Sequence, residues 1–360
     1  MNKRYDVIII GSGVIGSGIA YYLSKKRNKE ILTIDKQFPL ASSSGATQAF
    51  VWVHNKTPTW YGELSMKSAN LYPNLEKEIG DIEFKHTGGI APFFSESDFE
   101  VALRLAERQA KVGIDIEVLD RDEVLEKEPE LSPSIVGATY SKIDGNVNPF
   151  RLIESYIKAA RINGAKFSFY NSVIDIINEH GRYKIKTSNG EYIANQLVLA
   201  GGPWSKSLGN LLDINIPIKQ VRGQIMVTEP LQPILSHTIG GLRQMENGEI
   251  LIGYSKEEVG YDLRSTLDII QDTARMAIDF VPVLEKVNVI RCFSGIRVIP
   301  EDGFPIIGEI PGLKNCYIAV MHSGITLSPL IGLVMAELIS EGESVIDLEK
   351  YSLKRFKRLG

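Results

Sequence analysis

The chain has 360 residues, of which 44% are apolar and 23% charged. These proportions exclude disorder as the main state, and the length allows two domains or one large α/β unit. Forty Lys and Arg against 44 Asp and Glu leave a net charge of −4, which argues against a dedicated binder of nucleic acid or anionic membrane. Two cysteines, Cys292 and Cys316, supply neither a disulfide framework nor a cysteine zinc cluster, so no metal is expected and a reducing cytoplasm is the expected setting. No run reaches 18 consecutive apolar residues, so no transmembrane segment is expected, and the N-terminus lacks a signal-peptide pattern.

Val7-Ile8-Ile9-Ile10 is an uninterrupted β-branched run, which predicts a strand buried on both faces of a parallel sheet. Gly11-Ser12-Gly13-Val14-Ile15-Gly16 follows directly. Ile15, Ile19, Tyr22 and Leu23 then recur at helical spacing, and Glu30 to Ile34 reads as a second strand ending in Asp35. Strand, GxGxxG, helix, strand and acid together predict a dinucleotide site. Gly11 permits the tight turn, Gly13 lets a pyrophosphate approach the backbone, and Gly16 lets the helix pack on the strand. The helix N-terminus offers amide donors to phosphate, and Asp35 is placed to accept from an adenosine ribose. This motif alone does not separate NAD from FAD.

The hydroxyl-rich stretch 40–48 reads as a loop suited to phosphate or a flat ring. Helices are predicted over 61–79, 96–112, 121–127 and 149–163, and strands over 89–94, 165–177, 183–187 and 196–199. The 196–199 strand runs into Ala200-Gly201-Gly202-Pro203-Trp204, with a helix starting near Ser205. Strands at 219–228 and 250–254 suggest an antiparallel sheet, and 267–280 a helix. A strand at 289–298 precedes the turn Pro300–Pro305. Cys316–Val320 leads into His322-Ser323-Gly324-Ile325-Thr326 and a helix from about Leu327 to Ser340. Three strand–glycine–helix junctions, near residues 11, 201 and 324, suit one long ligand at the carboxyl ends of one sheet. The basic tail Lys354–Arg358 reads as a solvated end.

The segments Asp6–Gly18, Ser42–Gln48, Asp144–Pro149, Val198–Ser205, Arg222–Glu229, Ser294–Gly308 and Ala319–Pro329 resemble, in order and over nearly the whole chain, the FAD-dependent D-amino-acid oxidase superfamily. The branch is the one with glycine oxidase, sarcosine oxidase and the catalytic subunits of opine and proline dehydrogenases. The resemblance implies an α/β fold with a discontinuous Rossmann-like FAD-binding domain (1–85, 141–218 and 289–360). A substrate domain on an antiparallel sheet would use 86–140 and 219–288. It implies that Gly11, Gly13, Val14, Ile15 and Gly16 hold the pyrophosphate and Asp35, with Lys36 beside it, the ribose end. Ser42, Ser43, Thr47 and Gln48 would line the pyrophosphate and flavin, and Val173 would meet the adenine. Gly201 and Trp204 would flank the cofactor, and Gly324, Ile325 and Thr326 would face the flavin O2 and N1 edge.

Arg297 matches the family position that binds the substrate carboxylate; the alternative is pairing with Glu301 or another acid. Ser294 stands where some relatives link flavin to cysteine, so noncovalent FAD is expected. Gly241 or Leu242 replaces a carboxylate-binding tyrosine of glycine oxidase. His322 replaces an arginine and is either a substrate contact, a proton-relay group or a structural histidine; Tyr254 is a weaker pocket candidate. The expected activity is FAD-dependent oxidation of the C–N bond of a small amino acid or N-substituted amino acid, by hydride transfer to flavin N5. The alternatives are an FAD-holding subunit of a multi-subunit amine dehydrogenase, and a same-fold flavoenzyme acting on a C–O bond. Expected partners are the small amine or amino-acid substrate and partner subunits or further copies of the chain, and not nucleic acid.

Overall fold

The computed structural model describes residues 3–359. The apolar run becomes strand β1 (Lys3–Ile10), followed by helix α1 (Val14–Ser24) and strand β2 (Ile31–Ile34). β1 lies at the centre of an eight-stranded sheet whose main path runs 306–309, 316–320, 190–199, β1, β2 and 166–168. β1 is parallel to β2 and to 190–199, which is in turn parallel to 316–320. Both faces of β1 are covered, with Ile8 and Ile9 fully buried, which explains its unbroken apolar run. Two antiparallel strands, 173–179 and 182–187, extend the sheet from the 190–199 strand.

One face is covered by α1, the 149–162 helix and the helix Gly324–Glu341. A Cβ on Gly332 would lie 3.0 Å from the backbone of Gly18, so the two glycines set how closely the last helix approaches α1. That last helix is 18 residues long and apolar enough to cross a membrane by composition, and two-thirds of it is buried in this core.

The second large sheet runs 289–300, 218–228, 250–252, 242–244, 238–239, 89–93, 137–141 and 117–120. It is antiparallel except where 238–239 pairs with 89–93. A separate core, under the helix Leu267–Phe280, covers it.

Several elements differ from the sequence reading. The helix expected over 61–79 is two, Thr59–Ala69 and Tyr72–Ile79, because Pro73 in the first turn starts a new helix. The strand expected over 165–177 breaks into 166–168 and 173–179. In the break Asn171 donates its N–H to the Asp35 carbonyl (2.8 Å), which fastens the segment beside the acid. The strand Val289–Pro300 pairs with Ile218–Thr228 over its length. Residues 289–300 thus belong to the antiparallel sheet, not with the parallel one. The last helix begins at Gly324, not Leu327. In the C-terminal segment, Arg355 pairs with Asp302 (2.6 Å) and donates to the Phe304 carbonyl (2.9 Å), so this residue clamps a turn; Lys354 is exposed, and the side chains of Lys357 and Arg358 lie outside the described residues.

Candidate active site

The 316–320, 190–199 and β1 strands are neighbours and parallel, so their three glycine-bearing exits open side by side. They border one elongated cavity of about 620 Å³ between the two sheets. All the residues singled out for the cofactor line it except Gly16. Gly16 is buried where a Cβ would collide with the Gly11 carbonyl, so its role is helix–strand packing. Gly11 adopts φ +109°, and a Cβ there would collide with the Ala200 carbonyl.

α1 and the 324–341 helix both start at the cavity with no acid in the first turn and no cap from their own N-cap residues, although the Ser44 hydroxyl takes the Val14 N–H of α1 (3.1 Å). Uncapped helix N-termini carry free N–H donors and partial positive charge. Beside α1, Asp35 Oδ2 accepts from the Ser12 N–H (2.7 Å) and hydroxyl (2.9 Å), and Oδ1 from the Gln37 N–H (3.0 Å). The carboxylate is therefore oriented by the turn itself. Lys36 Nζ lies 3.3 Å from the centroid of the Trp204 ring, which stacks on Tyr261. Burial lowers the Lys36 pKa. Val173 borders the same cavity.

The loop after β2 is bolted to the antiparallel sheet. Ser43 donates to the Ile296 carbonyl, and Gln48 Nε2 to the Gly241 carbonyl (2.6 Å). Arg243, buried, reaches back to the carbonyls of Gln48 (2.8 Å) and Val147 (2.9 Å). Thr47 accepts from the Ala49 N–H (3.0 Å), and the Ser42 and Ser43 hydroxyls are 3.5 Å apart. Several of these polar side chains thus hold the loop's shape as well as bordering the cavity. At the last helix, Thr326 donates to the Phe50 carbonyl and accepts from the Trp52 N–H (both 3.1 Å), and Tyr72 donates to the Ile325 carbonyl (2.5 Å). A Cβ on Gly324 would sit 3.3 Å from Val14, so the two helix starts touch.

Arg297 projects into the cavity from the 289–300 strand. It does not pair with Glu301; Nη1 donates to the carbonyls of Ser255 (2.5 Å) and Arg222 (3.4 Å). Among the described residues no carboxylate pairs with it. Glu257 is taken by Arg222 (2.5 Å). Desolvation lowers the Arg297 pKa, and Glu257 acts weakly against that. His322 borders the same space, its Nδ1 3.1 Å from the Ser323 hydroxyl. Desolvation, then the positive charges of Lys56, Arg297 and Lys256, push its pKa down to about 3, so the ring is neutral at ordinary pH. Ser294 donates to the Leu263 carbonyl (2.7 Å) and neither it nor either cysteine lines the cavity. Tyr254 is largely exposed and does not line the cavity; its ring lies beside Gly241. Among the described residues no cluster of His, Cys, Asp and Glu could hold a metal.

The family described as FAD dependent oxidoreductase matches residues 6–338. The chain belongs to that family. As an FAD-dependent oxidoreductase it is similar over full length to a subunit of opine oxidase from Agrobacterium tumefaciens, at 30% identity covering 98% of this chain and 97% of the relative. It is 29% identical to the hydrogen cyanide synthase subunit HcnC of Pseudomonas protegens, covering 99% and 97%. Glycine oxidase of Geobacillus kaustophilus has the same fold, with a TM-score of 0.94 at 28% identity over 98% of this chain and 99% of that one. FAD suits the donors present: the N–H groups at the start of the 324–341 helix and those of α1 beyond Val14 for anionic groups, a bare Gly13 in the first turn, and a cavity with both polar and apolar walls.

Sequence reasoning singled out neither Gly223 nor Lys56, two residues of this oxidoreductase's cavity wall. Ser44, within the 40–48 loop, also lines it and accepts from the Val14 N–H (3.1 Å), whereas Ser12 is buried behind the wall and bonds Asp35. Gly223 lies against the Arg297 guanidinium. Lys56 donates to the Ser323 hydroxyl (2.6 Å), and desolvation pushes its pKa down to about 8 against the pull of Asp144. Nothing local marked Lys56.

Proposed function

We propose that the chain oxidises the C–N bond of a small amino acid or N-substituted amino acid whose carboxylate is bound by Arg297. The observation that carries this reading is Arg297 itself: a half-buried guanidinium on the cavity, with backbone carbonyls and, among the described residues, no acid for partners. A planar fork in a desolvated wall favours a carboxylate and fixes its orientation. FAD would be held by the Gly11–Ile15 turn, Asp35, Lys36, the 42–48 loop, Val173, Gly201, Trp204 and the Gly324–Thr326 helix start. The parallel sheet then carries the cofactor and the antiparallel sheet the substrate wall. Bound FAD would supply the hydride acceptor for the carbon next to nitrogen. The protein's share is orientation by Arg297, a neutral imidazole contact from His322, and exclusion of water. FAD is proposed to be noncovalent, since no cysteine lines the cavity.

The test is anaerobic flavin bleaching against glycine, sarcosine, proline, D-amino acids and opines, each with its decarboxylated amine. At least one carboxylated amine should bleach the flavin, and its decarboxylated partner should be far weaker; bleaching by none of the panel would refute the reading. Acid precipitation should leave the flavin in the supernatant.

A second reading, a subunit working inside a larger complex, draws support from the edge strand 289–300. Val289 and Ile290 are exposed there, and Leu267 is 89% exposed. Two of the relatives are named as subunits. Purification from the native cell with a stoichiometric second chain would favour it.

A further inference from the structure

We propose that His322, Ser323 and Lys56 form a proton relay that draws the proton from the substrate's ammonium group and leaves it on the Lys56 amine. The proposal rests on the amine-oxidation reading above. An amino acid arrives mostly as its ammonium form, and an ammonium nitrogen has no electron pair with which to assist loss of hydride from the adjacent carbon. A proton acceptor within the cavity removes that obstacle.

The geometry supplies a continuous path. Lys56 Nζ is 2.6 Å from Ser323 Oγ, and Ser323 Oγ is 3.1 Å from His322 Nδ1. All three residues line the cavity that Arg297 enters. Among the described residues His322 Nε2 makes no hydrogen bond, which leaves it for a ligand. Ser323 is itself unusual. It is the N-cap residue of an 18-residue helix, a position where a serine hydroxyl ordinarily accepts from the helix's own N–H groups. Here it makes no such bond and sits in the left-handed region at φ 58°, ψ 31°. The hydroxyl is committed instead to the lysine and the imidazole.

The step balances as a single proton shift without electron transfer. The substrate N–H bond breaks and its proton joins His322 Nε2. The His322 Nδ1 proton passes to Ser323 Oγ, and the Ser323 hydroxyl proton passes to the lone pair of neutral Lys56. The products are a neutral substrate amine, an ammonium at Lys56 and a histidine that has exchanged tautomers. His322 is never required as a cation, in keeping with its depressed pKa. Lys56, pushed down to about 8, is available as a neutral acceptor far more readily than an exposed lysine.

The groups facing this chain set its charge balance. Asp144 opposes the deprotonation of Lys56, and its carboxylate is shared with His54 Nδ1 at 2.5 Å. The Tyr61 ring lies 5.1 Å from Lys56 Nζ. Arg297 and Lys256 act on His322 from the antiparallel-sheet side.

The experiment measures the efficiency of anaerobic flavin reduction by the best amino-acid substrate across pH 6–10, in wild-type holoenzyme, Lys56→Met and Ser323→Gly. Glycine suits the left-handed conformation at 323, so that variant removes the hydroxymethyl group without straining the backbone. FAD content and Tm check folding. In wild type, efficiency should rise with pH and level off near the Lys56 value. In both variants the rise should continue to the substrate's own ammonium pKa, with a loss of roughly 10²-fold at pH 7. A readout independent of turnover is calorimetry with 2-aminoisobutyrate, which has no hydrogen on Cα, in buffers of different ionisation enthalpy. At pH 9, binding should release about one proton fewer from wild type than from Lys56→Met. Profiles that coincide in all three proteins, or a change in Lys56→Met not shared by Ser323→Gly, or equal proton release, would overturn the relay while leaving amine oxidation intact. If no amine reduces the wild-type flavin, the functional reading falls and the relay with it.

Discussion

The Arg297 guanidinium is held by the carbonyl oxygen of Ser255, at 2.5 Å, and by no carboxylate among the described residues. A carbonyl orients a cation without neutralising it, so the positive charge remains available to a ligand. Arg297→Met should lower flavin-reduction efficiency with a carboxylated amine by roughly 10²–10³-fold, in line with about 3–5 kcal/mol for a buried charge that loses its partner. Arg297→Lys should recover part of this, because lysine keeps the charge and loses the planar fork. FAD content should stay near wild type. Equal losses with the decarboxylated amine would remove the carboxylate role.

Gly223 offers a gentler test of the same group. A Cβ there would collide with the guanidinium, the flexible end of Arg297, so Gly223→Ala should displace that end without unfolding the strand. Misplacement of a positioning group costs roughly 10- to 100-fold in efficiency. The loss should appear with the carboxylated amine, with Tm nearly unchanged. A variant with wild-type kinetics would show that Arg297 does not need its present position.

Asp35 serves both the turn and the ribose end of the proposed site. Asp35→Ala removes the bonds to Ser12 and Gln37, so the apoprotein's Tm should fall. FAD affinity should fall roughly 10- to 150-fold, from the 1.5–3 kcal/mol of a charge-assisted hydrogen bond. Titration of apoprotein with FAD measures the second effect; unchanged affinity would assign Asp35 to the turn alone.

His322 links stability to acid. Its folded pKa, about 3, lies below the ordinary value of 6.5. The unfolded chain therefore binds more protons between these values, and stability is lost as pH falls from 6.5 toward 3. His322→Gln should abolish this component. The Tm gap between the variant and wild type should move in the variant's favour by a few degrees as pH drops from 7 to 4.5. A gap independent of pH would mean that His322 titrates normally.

The first forty residues were legible because their signals are local: a buried strand, glycines at fixed offsets, apolar residues at helical spacing and a terminal acid lie next to one another in the chain. The three glycine junctions were legible for the same reason, and the order of the parallel strands brings them together. Sheet membership was not. Nothing within 289–300 distinguishes a strand of the parallel sheet from one paired with 218–228, because the partner lies some seventy residues away. Lys56 was hidden for a related reason. Nothing in Asn-Lys-Thr-Pro marks the lysine as buried; its burial, with the Tyr61 ring 5.1 Å away and the Ser323 hydroxyl at 2.6 Å, comes with the fold, and Asp144 opposes the resulting fall in its pKa. The loop 42–48 was read as ligand-facing, yet Ser43 and Gln48 spend donors on the opposite sheet.

That loop has a consequence for how the protein tolerates change. Its residues border the cofactor channel and, through Ser43, Gln48 and the returning Arg243, also tie the two sheets to each other. A substitution there is registered twice, once as altered ligand affinity and once as a loosened seam. Repacking the channel for a different ligand is therefore easier from the far wall, at Val173, than from the loop, where each exchange of a polar side chain also unfastens one half of the molecule from the other.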